Sequence, residues 1–186
     1  DEECSFHPAS PYAISKIAGS ELSYSVNSRY LAASNTQMPT NLYGPNDNYD
    51  LANSHVLPAL IRKAHEAKLA CNSELIVWGT GEPRREFLYV DDMADACVYL
   101  MEQGIAEGTY NIGCGNDVTI RELAETVMDV VGFKGNIEFD CSKPDGTPRK
   151  LLDVSRMTEL GWRSTVGLRE GVAKAYNAFL ETESGK

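Results

Sequence analysis

Ile14, Ala18 and Leu22 recur every four residues, with Ile17 and Val26 beside the same stripe, and this spacing predicts a helix from Tyr12 to about Arg29. Ser10 and Pro11, just before it, have the residue types of an N-cap and a first helical position. A short strand is predicted near Asn35 to Met38, closing on PTNLYGPND, a turn-rich loop with Pro39, Gly44 and Pro45. NSHVLPALIRKAHEA reads as a second helix, with Ser54 as candidate cap and Pro58 tolerable only near the first turn. The apolar run Leu75 to Trp78 predicts a strand, Gly79 to Pro83 a turn, and Glu86 to Val90 a further strand. Asp91 or Asp92 then caps the helix DMADACVYLMEQ.

The second half repeats the alternation. Thr109 to Ile112 reads as a strand, GCGND as a turn, and Thr119 to Val131 as a helix whose Thr119 and Glu122 fit a capping box. NIEFD is another strand, KPDGTPRK a polar loop, and DVSRMTELGW a short helix stopped by Gly161. Leu168 to Thr182 closes the chain as a helix. Strands alternating with helices mean an α/β protein.

Composition narrows what such a fold does. At 186 residues the chain is long enough for one substantial core, or for parts of two. Seventeen Lys and Arg against twenty-seven Asp and Glu leave a net charge of −10, which argues against nucleic-acid or anionic-membrane partners. An anionic small molecule needs only a local cluster of positive charge, and stays open. Cys4, Cys71, Cys97, Cys114 and Cys141 are scattered, odd in number and without CxxC, which reads as reduced thiols in a cytoplasmic protein with no disulfide framework or metal site. No apolar run approaches the roughly 20 residues that span a bilayer.

Within the first predicted helix, Tyr12 and Lys16 stand one turn apart on one face. A tyrosine has a solution pKa of about 10 and exchanges protons poorly at neutral pH. A neighbouring ammonium favours the phenolate and brings the pKa toward neutrality, which suits proton exchange with a carbonyl or alcohol oxygen. Alone, the spacing also fits two polar groups on a solvated helix.

Longer stretches add a resemblance. SPYAISK, a strand ending in PTNLYGP, and VWGTGEPRREFLYVDDMADA resemble the extended short-chain dehydrogenases/reductases that act on nucleotide sugars. MPTNLYGPNDN with NSHVLPALIRKAHEA, and then KPDGTPRKLLDVSRMTELGW, are similar to the GDP-L-fucose synthase family of GDP-4-keto-6-deoxymannose 3,5-epimerase-4-reductases. The resemblance runs from Pro11 to Leu180.

It implies the C-terminal part of a doubly wound Rossmann sheet in residues 1–45. Residues 46–186 would be mainly a smaller α/β GDP-sugar domain, with some return to the Rossmann sheet near 86–104. It implies NADPH as cofactor, a GDP-sugar as substrate, and a homodimer built through the Tyr12–Lys16 helix. Tyr12 would protonate the C4 oxygen, Lys16 would tune it and hold the nicotinamide ribose, and His55 would be the acid of epimerisation at C3 and C5. Pro39, Thr40, Asn41, Leu42 and His55 would lie along the nicotinamide end. Lys63, where the family often has Arg, would contact the GDP-sugar with Trp78 and Arg85. Asp145 is either an acceptor for the nucleotide or a turn-forming Asp before Gly146.

The family's GxxGxxG phosphate loop has no match here; GTGEPRR and GCGND are the nearest glycine-rich runs. The expectation is therefore the C-terminal part of a longer enzyme, in agreement with the missing initiator methionine, and no catalysis by the 186 residues alone. Cys4 stands only eight residues before Tyr12, too close to be the family's upstream cysteine base, while His7 and His65 read as surface residues. Two rivals stay open: another nucleotide-sugar epimerase or dehydratase, and a non-catalytic nucleotide-sugar-binding module.

Overall fold

The structure, a computed structural model, describes residues 11–184, so Cys4, His7 and Ser10 lie outside the described residues. A 20-residue helix, α1 (Pro11–Tyr30), opens it. Two short strands follow, β1 (Thr36–Pro39) and β2 (Asn41–Tyr43), then α2 (Val56–Leu69) and β3 (Glu74–Trp78). Next come β4 (Arg84–Arg85), β5 (Phe87–Tyr89), α3 (Val90–Glu102), β6 (Thr109–Ile112), β7 (Val118–Thr119) and α4 (Ile120–Val131). The chain ends in β8 (Asn136–Asp140), β9 (Arg149–Lys150), α5 (Ser155–Glu159) and α6 (Leu168–Ser184).

Among the described residues four strand pairs are parallel: β1 with β6, β2 with β5, β3 with β8, and the two-residue β4 with β9. Parallel strands need long crossovers, which the helices supply. Phe87, Leu88 and Tyr89 are all buried, as expected of a strand covered on both faces. In β3 only Leu75 and Val77 are buried while Ile76 and Trp78 face out, the two-residue period of a half-covered strand. Partners of β1 and β2 extend as far as Ile112, beyond the 86–104 stretch expected to return to the first sheet.

The apolar side chains gather in two clusters. Leu57, Ile61, Leu75, Val127, Val172 and Phe179 join α2, β3, α4 and α6. Leu88, Leu100, Ile112, Met157 and Trp162 join β5, α3, β6 and α5. Helix α4 starts as its sequence predicts: Thr119 Oγ1 accepts from Glu122 N at 3.0 Å, and Glu122 Oε2 accepts from Thr119 N at 2.7 Å. It stops at Gly132, whose φ of 75° is the left-handed conformation glycine adopts freely.

Several expectations are corrected. PTNL is not a loop: Pro39 ends β1, Asn41 begins β2, and the turn falls at Pro45 and Asn46. The N-cap of α2 is His55 rather than Ser54, whose buried Oγ has no hydrogen-bond partner. Tyr89 precedes α3, and Asp92 in its first turn instead accepts from the Thr165 hydroxyl at 2.8 Å and from Val166 N at 3.0 Å. KPDGTPRK contains a strand, because Arg149 and Lys150 pair with Arg84 and Arg85. His65, expected at the surface, is half-buried: its Nδ1 lies 3.0 Å from Tyr176 Oη and its ring meets Phe179 edge-on. On α1, Ile14 and Leu22 face out, and the buried residue is Asn27, which binds Ser34 and Ala106. A helix end can be anchored by polar bonds as well as by an apolar stripe, and periodicity registers only the stripe.

Candidate functional site

Tyr12 and Lys16 stand in the first two turns of α1, and Tyr12 is 72% exposed. The Lys16 ammonium lies 5.1 Å from the centroid of the Tyr12 ring, the same-face neighbour that the four-residue spacing dictates. His55 ends the approach to α2 with extended backbone (φ −72°, ψ 166°), is exposed, and makes no side-chain cap bond.

Pro39, Thr40, Asn41 and Leu42 form the carboxyl end of β1 and the start of β2, where open parallel sheets place ligands. Thr40 N donates to Ile112 O at 3.0 Å. Thr40 Oγ1 and Asn41 Nδ2 both donate to the carbonyl of Glu86, at 3.1 and 2.7 Å. The segment is thus tied to the residue that follows Arg85.

Lys63, Trp78, Arg85 and Asp145 come from α2, the end of β3, β4 and the loop after β8. Lys63 Nζ lies 4.7 Å from the centroid of Trp78, which is 57% exposed, and donates to Ile76 O at 3.3 Å. Burial pushes the Lys63 ammonium below its usual pKa, partly offset by Asp140. A second lysine, Lys143, sits 5.4 Å from the same ring. Asp145 is already engaged: its oxygens accept from Thr80 N at 2.9 Å and Thr80 Oγ1 at 2.6 Å, which hold its carboxyl below the usual range, with Arg85 adding to the effect. A Cβ on Gly146 would lie 3.0 Å from an Arg85 guanidinium nitrogen, so the Asp145 loop meets Arg85. Arg85 also lines a cavity of about 560 Å³ with Cys114, Asn116, Thr158 and Arg163. The result is an exposed indole with two ammonium groups beside it and a guanidinium across the loop, an arrangement suited to a planar ring bearing anionic groups.

Residues 1–113 match the NAD dependent epimerase/dehydratase family. The chain belongs to that family. Among relatives of this epimerase/dehydratase, "GDP-L-fucose synthase 1" of Arabidopsis thaliana is 54% identical over 170 residues, 91% of this chain and 53% of that protein. The "GDP-L-fucose synthase" of Escherichia coli (strain K12) is 52% identical over 182 residues, 93% of this chain and 57% of its own length. Among solved structures, a GDP-L-fucose synthetase from Naegleria fowleri bound to NADP superposes with a TM-score of 0.78 at 27% identity, covering 91% of this chain and 54% of that one. The chain therefore spans about half the length of the curated relatives it matches.

Around this epimerase/dehydratase site the structure adds residues that the sequence did not single out. Lys143 was legible as a basic residue two positions before Asp145. Asp117 was not, because its partners arrive from distant strands. With a side chain only 4% exposed, it accepts from Arg84 Nε at 2.9 Å and Arg149 Nε at 2.5 Å, clamping β4 to β9. Arg149 first, then Arg84, hold its carboxyl below the usual range. A carboxylate with a depressed folded pKa adds stability above its unfolded pKa of about 3.9 and loses it as pH falls through the folded value. The melting-temperature gap between wild type and Asp117→Asn should therefore hold from neutrality to about pH 5 and close only below about pH 4. A gap that closes near neutrality would show that the clamp is not ionic.

Proposed function

We propose that the polypeptide carrying this chain is a GDP-L-fucose synthase: it inverts C3 and C5 of GDP-4-keto-6-deoxy-D-mannose and reduces C4 with NADPH. The observation that carries this reading is the pair of ammonium groups, Lys63 and Lys143, over the exposed Trp78 ring, with Arg85 against the neighbouring Asp145 loop, on a chain whose net charge is −10. The names of its relatives point the same way.

On this reading Trp78 offers its face to the guanine or sugar ring, while Lys63, Lys143 and Arg85 meet the diphosphate. Asp145 orders the loop through Thr80 and presents what remains of its acceptor capacity to the nucleotide. Protons alpha to the C4 ketone are acidic, and His55 delivers one to the face opposite its removal. Tyr12 gives its hydroxyl proton to the C4 oxygen, and Lys16 stabilises the charge left behind.

The exposed carboxyl end of the β1–β6 pair fits a dinucleotide, with Lys16, Pro39, Thr40, Asn41, Leu42 and His55 as the groups that would hold its nicotinamide half. When bound, NADPH supplies the hydride that reaches C4. The solved relative with NADP supports this choice of cofactor. A homodimer through α1 agrees with the outward-facing Ile14, Leu22 and Tyr24. A cytoplasmic setting agrees with Cys71, Cys97, Cys114 and Cys141, all free thiols, and no helix among the described residues is long and apolar enough to cross a membrane.

Calorimetric titration of the full polypeptide with GDP and with UDP tests the reading. GDP should bind more tightly, and Trp78→Ala should weaken it by about 1–3 kcal/mol, the usual value of a base on an aromatic face. A preference for UDP would favour a different nucleotide-sugar epimerase, and binding of neither would contradict the assignment.

A further inference from the structure

Glu86 stands between β4 and the apolar β5, and its residue is 0% exposed. Burying a carboxylate is costly unless its oxygens find donors, and an apolar replacement is often no less stable. Here both oxygens find backbone donors from separate parts of the chain. Gly115 N donates to Oε1 at 2.7 Å, from the turn after β6, and Leu152 N donates to Oε2 at 3.0 Å, just past β9. The carbonyl of the same residue takes the side chains of Thr40 and Asn41. The fit is close: a Cβ on Gly113 would fall 2.3 Å from Glu86 Oε1.

The segments joined are those that carry the two halves of the site. Thr40 and Asn41 belong to the cofactor side, Arg85 is the adjacent residue, and Leu152 follows the strand that leaves the Asp145 loop. We propose that Glu86 is a positioning residue: its buried carboxylate and carbonyl fix the substrate-side Arg85 and Asp145 loop relative to the cofactor-side Thr40–Asn41 segment. The assignment of those sides rests on the function proposed above; the strut itself does not.

The test uses Glu86→Gln and Gly113→Ala in the full polypeptide. The amide of Gln keeps the shape but sets an NH2 group against one of the two backbone donors. Gly113→Ala keeps the charge and pushes on the carboxylate, at a position outside the left-handed region, so backbone strain is not introduced. Amide hydrogen exchange reads the strut without any ligand: Gly115, Leu152 and the β2 amides should lose protection together, while α4 keeps its own. Titrations with GDP and with NADPH read its purpose. Both dissociation constants should rise about tenfold, the size of one lost charged hydrogen bond, in protein whose far-ultraviolet circular dichroism is unchanged.

Unchanged exchange at Gly115 and Leu152 overturns the strut. Local deprotection with both affinities unchanged, or with only one altered, overturns the positioning role and leaves a structural one. If the wild type binds neither ligand, the functional assignment falls, and the positioning role with it, while exchange still decides the strut. If Glu86→Gln does not fold, Gly113→Ala decides alone.

Discussion

Tyr12→Phe should slow reduction at C4 by roughly 10²–10⁴-fold, the usual worth of a positioned proton donor, and leave GDP binding unchanged. The substitution removes one hydroxyl and nothing else. Tyr12 is exposed on the first turn of α1, so the loss leaves no cavity or buried orphan behind. Trp78, Lys63 and Arg85, the groups proposed to hold the nucleotide, stand on other elements. Single-turnover oxidation of NADPH, followed beside a GDP titration, separates the two effects. Turnover like that of wild type would remove Tyr12 from the chemistry, and a parallel loss of GDP affinity would make its role one of binding.

His55→Asn should suppress epimerisation far more than it weakens cofactor binding. In solvent deuterium oxide, label enters C3 and C5 of the 4-keto sugar only if those protons are exchanged, so incorporation reports this step directly. A drop of roughly 10²-fold or more is expected from loss of an acid–base group. The choice of Asn matters. His55 is the N-cap of α2 and makes no side-chain cap bond, and Asn is among the best residues at that position. The helix should lose no stability, so a fall in exchange is chemical. Deuterium entering both positions at the normal rate would leave His55 as a helix boundary only.

What the sequence made legible follows the range of the interactions involved. The Tyr12–Lys16 juxtaposition and the Thr119–Glu122 capping box are set within one helical turn, and both appear as the spacing requires. NIEFD and the strand Thr109 to Ile112 were readable from their own apolar content and turn-forming neighbours. Asp145 was an open choice between ligand and turn residue; its bonds to Thr80 come from a residue 65 positions away, which no local pattern reports. Glu86 is a stronger case. A charge within REFLYV suggests an outward position, yet backbone donors from Gly115 and Leu152 make burial tolerable. The same holds for Arg149 and Lys150, strand residues only because β4 lies beside them. The exposed stripe of α1 fails for a different reason: periodicity says that one helix face is apolar, not what covers it.

The central claim is that the polypeptide carrying this chain both inverts and reduces a GDP-bound 4-keto sugar. Its most direct test incubates that polypeptide with GDP-4-keto-6-deoxy-D-mannose and C4-deuterated NADPH in ordinary water, and reads the product by nuclear magnetic resonance. The account predicts GDP-L-fucose with deuterium at C4 alone and with C3 and C5 both inverted. A product reduced at C4 without inversion, or no consumption of the 4-keto sugar at all, would contradict it.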